Sequence, residues 1–404
     1  HGNDEIQRDH GAKGRRLTAE DLPRRRKEKM GKAILVLGNS DSGLYDFRKE
    51  VLEALLQEGY EVHVSVPDTG YADKIRRLGC IYHETAMERR GMNPFKDGKL
   101  FLFYRRLLKK LRPAAALTYT IKPNIYGGVA CRLLKVPRIV NVTGLGTTLE
   151  HEGLMQKLIV FLYREGLKNA GCIFFQNERN LAFMRQKGCL QKNAVTKVIS
   201  GSGVNLEEHR PKPYPEQEEL RFVSVMRIMR DKGIEELLEA ARRIHERHPE
   251  TVFELLGSYE EETREKYEPL IQDLQSKGIV RYYGYRDDIP EFYEHCCAVI
   301  HPSYHEGMSN VLQEAAATAR PVLASDISGC REIFEDGVSG IAFLPKDVDS
   351  LTDAIGRFLA LSQKERAEMG RQARAYVERH FDRKGVVAAY TDTLRTLTER
   401  KKSL

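Results

Sequence analysis

The sequence predicts an α/β protein built of two doubly wound parallel-sheet domains in tandem, facing each other across a cleft. Three observations carry that reading. Short apolar runs alternate with helical stretches of about ten to fifteen residues. The rhythm stops at a charged, proline-rich stretch around residues 210–219 and then restarts. The length, 404 residues, leaves room for two or three domains at roughly 150 residues each.

The elements follow in order. Ile34-Leu35-Val36-Leu37 is an unbroken apolar run of the kind a strand covered on both faces shows. It leads through the loop Gly38-Asn39-Ser40-Asp41-Ser42-Gly43 into a helix over about 45–58. A strand over 61–66 and a helix near 73–78 come next. Then follow a helix near 99–111, a strand over 114–117 and a helix over 125–134. A strand over 138–142, a long helix over 154–169 and a strand over 172–176 complete the first series. After the break, strand 221–225 opens the second. Helix 234–245, strand 252–256, a helix around 264–276 and strand 279–283 follow. Next are helix 290–295, strand 298–301, helix 309–319 and strand 321–324. The stretch 364–401 is mostly helical in pattern. In open parallel sheets ligands bind beyond the carboxyl ends of the strands, so two such domains make one cleft that suits the joining of two large substrates.

Composition excludes several classes. Hydrophobic residues make up 41% and charged residues 30%, the profile of an ordinary globular protein and not of a disordered or fibrous one. A spanning helix needs about 20 apolar residues, whereas the longest unbroken apolar run is 158–163. The net charge is +7, too weak a field for a dedicated nucleic-acid binder. The seven cysteines form no Cys-x-x-Cys and no even framework, which favours a reducing cytoplasm. Residues 1–29 are polar and basic without an apolar h-region; they read as an upstream extension or tag-like tail.

The segment from His301 to Glu314 is the richest in chemistry. A strand ends at His301, a loop presents Glu306, and a helix starts near Ser309, where free N–H groups and a positive dipole end can receive phosphate. Gly307 allows close backbone approach. Glu314, eight residues after Glu306, can bond the vicinal hydroxyls of a ribose while Glu306 meets a sugar ring. A second segment, Arg227 to Gly233, supplies cations: Arg227 closes a strand, Lys232 opens a helix, and together they can neutralise a departing diphosphate.

Together these segments resemble the retaining glycosyltransferases of family 4, which have the GT-B fold. The Glu-x7-Glu pattern matches Glu306 and Glu314, and the Arg-x4-Lys-Gly element matches Arg227 to Gly233. Ala316 to Gly340 and Val198 to Asn205 are similar to further family segments. The resemblance implies that Arg227 and Lys232 bind the donor diphosphate and Glu314 the donor ribose. Glu306 and the amides of Gly307, Met308, Ser309, Asn310 and Val311 would hold the donor sugar and its phosphate. Gly257 and the segment Arg286 to Ile289 would surround the nucleobase, with Gly43 at the first-domain side of the cleft. Residues 30–208 would form the acceptor domain and 209–378 the donor domain, with the C-terminal helix of 379–404 crossing back to the first.

Leu44 to Arg48, Gly91 to Pro94, Tyr119 to Gly127 and Thr143 to Gly146 resemble the branch that extends sugars on a lipid diphosphate at the inner face of the bacterial membrane. Met226 stands where the family usually has Gly. Tyr119 to Lys122 stand where many members carry a histidine, with Lys122 as a substitute phosphate ligand. The expected activity is metal-independent transfer of an N-acetylhexosamine from a UDP-sugar to a lipid-linked acceptor, as in capsule or other polysaccharide synthesis. The departing phosphate itself takes the acceptor proton. A sugar-nucleotide epimerase or hydrolase of the same fold, or a non-catalytic relative, are the alternatives; Glu-x7-Glu argues against the first, and retention of Arg227, Lys232 and Glu314 against the second.

Some tempting patterns read as structural. His295, Cys296, Cys297, His301 and His305 fit no common zinc spacing, and His301 is instead expected to line the donor cleft. Asp347-Val348-Asp349 precedes a helix and reads as a cap. In Phe101 to Arg112, Arg105, Arg106, Lys109, Lys110 and Arg112 fall on one helical face and Phe101, Tyr104, Leu107, Leu108 and Leu111 on the other. The apolar side packs on the sheet; the basic side is solvated or also touches anionic membrane.

Overall fold

A computed structural model describes residues 32–88, 93–145, 153–216 and 218–400. The tail 1–29 and residues Gly91, Met92, Gly146 and Gln217 lie outside them. The first domain is a seven-stranded parallel sheet: β1 (Ala33–Leu37), β2 (Glu61–Val66), β3 (Ile81–Glu84), β4 (Ala115–Tyr119), β5 (Arg138–Val142), β6 (Cys172–Phe175) and β7 (Thr196–Val198), in the order β3-β2-β1-β4-β5-β6-β7. Its helices are α1 (Asp41–Gln57), α2 (Ala72–Arg77), α3 (Pro94–Leu111), α4 (Gly128–Leu133), α5 (Leu154–Leu167) and α6 (Glu178–Gln186). The second sheet has six parallel strands: β8 (Leu220–Val225), β9 (Thr251–Leu256), β10 (Val280–Tyr282), β11 (Ala298–His301), β12 (Val322–Ser325) and β13 (Gly340–Phe343), in the order β10-β9-β8-β11-β12-β13. Its helices are α7 (Ile234–Arg247), α8 (Glu261–Ser276), α9 (Ile289–His295), α10 (Asn310–Ala317), α11 (Val348–Ala360) and α12 (Gln363–His380). Helix α13 (Arg383–Arg400) returns to the first domain, where Val386, Tyr390 and Leu394 join the core beneath α1 and α2.

Strand order reverses between β1 and β4 in one sheet and between β8 and β11 in the other. A crevice opens wherever neighbouring strands send their connections to opposite sides. Both crevices are lined by loops that follow these four strands, and this is what positions the site.

The structure shifts several expected elements. Helix α1 begins at Asp41, not 45, because Ser40 caps it and accepts a hydrogen bond from the Gly43 amide at 3.1 Å. Helix α3 begins at Pro94, not 99: Asn93 accepts from the amides of Phe95 and Lys96, and a proline at the first helical position needs no acceptor. Ahead of α4, Pro123–Gly127 form a π-helical turn. Elements β3, α6, β7 and β13 escaped the sequence reading. The 210–216 stretch has a linker's composition but is tied down. The Arg320 guanidinium donates to Lys212 O (3.1 Å) and Pro213 O (2.7 Å), and the Tyr214 hydroxyl to Cys297 O (3.1 Å).

Two chain crossings join the domains, and they lie side by side. The Val204 amide donates to Phe381 O at 2.8 Å and the Arg383 amide to Val204 O at 3.1 Å. Glu50 of α1 accepts from both crossings, from Arg383 at 2.8 Å and from Asn205 at 3.0 Å.

Candidate functional site

On the second domain, the site starts from a glycine. Gly233 has φ +72°, and a Cβ there would fall 2.1 Å from Pro302 O. Its absence lets the 3-10 turn Arg230–Lys232 lie against the segment after β11, where the Tyr304 amide donates to Asp231 O at 2.9 Å. Lys232 therefore precedes α7 instead of opening it, and its Nζ reaches Glu306 Oε1 at 2.5 Å. His301 Nε2 lies 2.9 Å from the same oxygen. Burial alone would push the Glu306 carboxyl up; Lys232 and His301 beside it win and hold it well below the usual carboxylate range.

The loop is gripped from its other side too. Gly329 has φ +90°, and a Cβ there would fall 2.8 Å from Glu306 O. Glu332 holds that turn by accepting from the Gly329 amide at 2.7 Å and from the Ser328 hydroxyl at 2.8 Å. Ser309 caps α10, and its own amide already donates to Gly329 O at 2.8 Å. The expected amide set thus loses Ser309. Asn310 and Val311, the first two helical positions, keep amides with no intrahelical acceptor.

Arg227 follows β8 and is 53% exposed, with its guanidinium paired to Glu260. Gly257 follows β9 with φ +135°, and a Cβ there would fall 1.8 Å from Met226 O, so only glycine lets the two strand ends meet. Met226 turns its side chain into the core. Arg286 is exposed and pairs with Asp288, with Nε at 2.7 Å from Oδ1, and Ile289 begins α9.

Glu314 is partly buried on α10. Burial pushes its carboxyl up to about 7, Arg383 draws it down, and Asp46 and Glu208 push it up again. In the unfolded chain the group ionises near 4.5, so its contribution to stability is fully present below that pH and lost as pH rises through about 7. Glu314→Gln is therefore expected to melt increasingly above the parent as pH goes from 5 to 8. A pH-independent melting difference would overturn this.

The facing wall comes from the first domain. The cleft holds about 280 Å³. Ser40, Gly43, Leu44, Phe47 and Arg48 line it from α1, Tyr119 and Thr120 from the end of β4, and Thr143 and Gln176 from the ends of β5 and β6. Glu306, Gly307, Met308 and Asn310 close it from the second domain. Gly307 is one place where the domains touch: a Cβ there would fall 1.9 Å from Thr143 O and 2.5 Å from Gln176 Oε1. Asn177 donates to Gly307 O at 2.5 Å. Thr120 has φ +70°, a costly conformation for a β-branched residue.

Among the sequence-derived residues, Gly43, Glu306, Gly307, Met308 and Asn310 thus line one cleft. Lys232 joins it through Glu306. Arg227, Gly257, Arg286, Ile289, Ser309, Val311 and Glu314 are not among the lining residues. Gly43 offers the cleft its surface but not its amide, which caps α1. Lys122 is committed elsewhere: its Nζ lies 2.8 Å from the buried Asp97, which also accepts from Tyr126 at 3.1 Å, tying α3 to the π-helical turn. Asp347 caps α11, accepting from the Ser350 amide at 2.9 Å. Cys296 and Cys297 are buried in the core, directing their thiols at Tyr293 O and Arg221 O. Arg48, Tyr119, Thr143, Gln176 and Gly329 are site residues the motif reading did not assign.

Residues 205–376 match the family model described as glycosyl transferases group 1, and residues 33–177 the one described as glycosyl transferase 4-like. The chain belongs to the family 4 glycosyltransferases. The first match takes in Arg227, Lys232, Glu306 and Glu314 of this glycosyltransferase, and the second takes in α1, Thr143 and Gln176. The enzyme is 29% identical to the N,N'-diacetylbacillosaminyl-diphospho-undecaprenol α-1,3-N-acetylgalactosaminyltransferase of Campylobacter jejuni, over 83% of its own chain and 92% of that relative. It is 26% identical to the UDP-Gal:α-D-GlcNAc-diphosphoundecaprenol α-1,3-galactosyltransferase of Escherichia coli, over 78% and 84%. Among solved structures it is similar in fold to Anabaena HepE in complex with UDP and glucose, with TM-score 0.75 and 17% identity over 90% of this chain and all of that one. Sucrose-phosphate synthase of Thermosynechococcus elongatus is similar in fold, with TM-score 0.76 and 19% identity over 91% and 100%. These likenesses place both domains and the crossing helix of the glycosyltransferase in the GT-B fold.

Proposed function

We propose that the enzyme transfers an N-acetylhexosamine from a UDP-sugar to a saccharide carried on a lipid diphosphate, with retention of configuration and without a metal ion. The observation that carries this reading is the Lys232–Glu306–His301 cluster beside the start of α10, facing a polar wall of the first domain across one cleft. The names of the C. jejuni and E. coli relatives, both of which carry diphospho-undecaprenol acceptors, support the acceptor class; the first name supports the sugar and the second the UDP donor.

In the proposed step the bond between the anomeric carbon and the donor phosphate oxygen breaks. The acceptor hydroxyl oxygen bonds to the same face of that carbon, and its proton passes to the departing phosphate oxygen. Lys232, Arg227 and the free amides of α10 supply fixed positive charge for the leaving diphosphate, a task that a metal ion performs in other enzymes. A thermal-shift screen across UDP-, GDP- and CDP-sugars identifies the donor. Transfer from it to a prenyl-diphosphate saccharide is expected to survive excess EDTA, with at most modest stimulation by Mg²⁺. Complete loss in EDTA, restored by Mg²⁺ or Mn²⁺, would sink the metal-independent mechanism.

An acceptor held in a bilayer requires the enzyme to sit on the membrane, and no helix among the described residues is long and apolar enough to cross one. Helices α3, α4 and α5 cover one face of the first sheet. Outward, α3 exposes Arg105, Arg106, Lys109 and Lys110, and α5 exposes Leu154, Met155, Leu158 and Phe161 beside Lys157 and Arg164. Basic and apolar groups on one outer layer suit the inner face of a bacterial membrane with anionic lipid. Reversing Arg105, Lys109 and Arg112 to Glu is expected to abolish the part of vesicle binding that salt weakens. Equal sedimentation of parent and variant with anionic vesicles at low salt would return this face to solvent.

A further inference from the structure

Arg48 is a buried cation that lines the cleft with one donor, Nε, unspent. It lies eight residues beyond the cap Ser40 on the face of α1 that lines the cleft, and it is only 5% exposed. One Nη donates to the neighbouring Phe47 O at 2.7 Å, whereas the buried Nε has no hydrogen-bond partner. The guanidinium stands 5.5 Å from the centre of the Tyr119 ring, and the neutral hydroxyls of Tyr119 and Tyr390 lie within hydrogen-bonding reach of it. Among the described residues no carboxylate forms an ion pair with it.

The other buried arginines each spend two or more donors on backbone carbonyls or a carboxylate, although Arg138 also keeps an unpartnered Nε. Arg138 donates to Gly166 O at 2.8 Å and Lys168 O at 2.7 Å. Arg320 donates to Tyr293 O at 2.6 Å, Pro213 O at 2.7 Å and Glu294 O at 2.8 Å. Arg366 donates to Phe358 O at 3.2 Å and Leu359 O at 2.7 Å, and Arg383 is paired with Glu50. A buried guanidinium without a counter-ion is costly, and of these five only Arg48 lines the cleft.

We infer that Arg48 is the subsite for a phosphate group of the acceptor, a saccharide linked to a lipid through phosphate or diphosphate. This rests on the transferase reading above. The donor's diphosphate has its cations on the second domain, Arg227 and Lys232. On the first domain's wall of the cleft, Arg48 is the sole Lys or Arg among the described lining residues. An acceptor whose hydroxyl points at the donor sugar carries its phosphate about one sugar ring away, on the first domain's side. A guanidinium recognises that group by paired N–H donors, which a lysine ammonium reproduces only as a point charge.

The test is direct binding, which needs no turnover. Dissociation constants are measured for α-N-acetylglucosaminyl farnesyl diphosphate, for the uncharged farnesyl α-N-acetylglucosaminide, and for UDP. The parent is expected to prefer the diphosphate probe by about 30-fold, as charge-assisted hydrogen bonds allow. Arg48→Met is expected to erase that preference, and Arg48→Lys to keep part of it. Both variants should retain parental UDP affinity and melting temperature. A preference that persists in Arg48→Met overturns the assignment. Weakened UDP binding with the preference intact transfers Arg48 to the donor's phosphate and overturns it too. Equal loss for both farnesyl probes with a lowered melting temperature would make Arg48 structural. Failure of the transferase reading shows separately, as absence of transfer by the parent with every donor.

Discussion

Replacing Lys232 by alanine is expected to lower kcat by about 100-fold or more while leaving the melting temperature close to the parent's. The ammonium is asked for roughly 3 kcal/mol of stabilisation of the departing diphosphate, a usual size for one fixed charge at a developing anion. The structure adds a second consequence. Lys232 and His301 are what hold the Glu306 carboxyl so low. Without Lys232, burial regains its weight and the Glu306 carboxyl moves upward. The residual activity should therefore decline on the acid side at a higher pH than in the parent. Arg227→Ala is expected to lose about as much turnover, without the displaced acid limb, because Arg227 pairs with Glu260 and not with Glu306. Near-parental turnover of either variant would mean that the donor diphosphate lies elsewhere.

Gly307→Ala is expected to reduce kcat/KM by about 100-fold or more, since misplacing a reacting group by an ångström costs that much. A Cβ at this position would fall 1.9 Å from Thr143 O, a backbone atom that cannot rotate away. Either the domains separate at this contact or the Glu306 loop shifts. Both displace Glu306 from the facing wall. The position lies at a seam and not within either core, so the melting temperature should barely change. Parental kinetics would show that this contact between the domains is absent from the active state.

How much of this was legible in the sequence depends on where the information lies. Strands at the centres of the sheets are covered on both faces and so appear as unbroken apolar runs, as residues 33–37 and 298–300 do. The edge strands β3 and β7 carry Ile81-Tyr82-His83-Glu84 and Thr196-Lys197-Val198, half exposed and polar, and give no such run. Glu306 to Asn310 were legible because one loop and one helix start supply them together. The facing wall was not, because α1, β4, β5 and β6 contribute a few residues each and only the sheet brings them together. A trace of it was present: Ser40, Gly43, Leu44, Phe47 and Arg48 recur at helical spacing, but a helix taken to begin at 45 hides that stripe. Lys122 shows the opposite failure. A cation near a strand end passes for a ligand until its buried partner, Asp97, is found through the fold.

The paired crossings at Val204 and Arg383 restrict how the halves of this enzyme can move. A single connecting strand would let one half swivel about any axis. Two strands bonded edge to edge behave like a strap of finite width: they flex easily across the strap and resist twisting along it. Any opening is then a swing about one line, a motion that returns the two walls of the cleft to the same register. Glu50 clamps both strands to the helix that carries Arg48. The helix lining one wall is therefore fastened to the pivot itself.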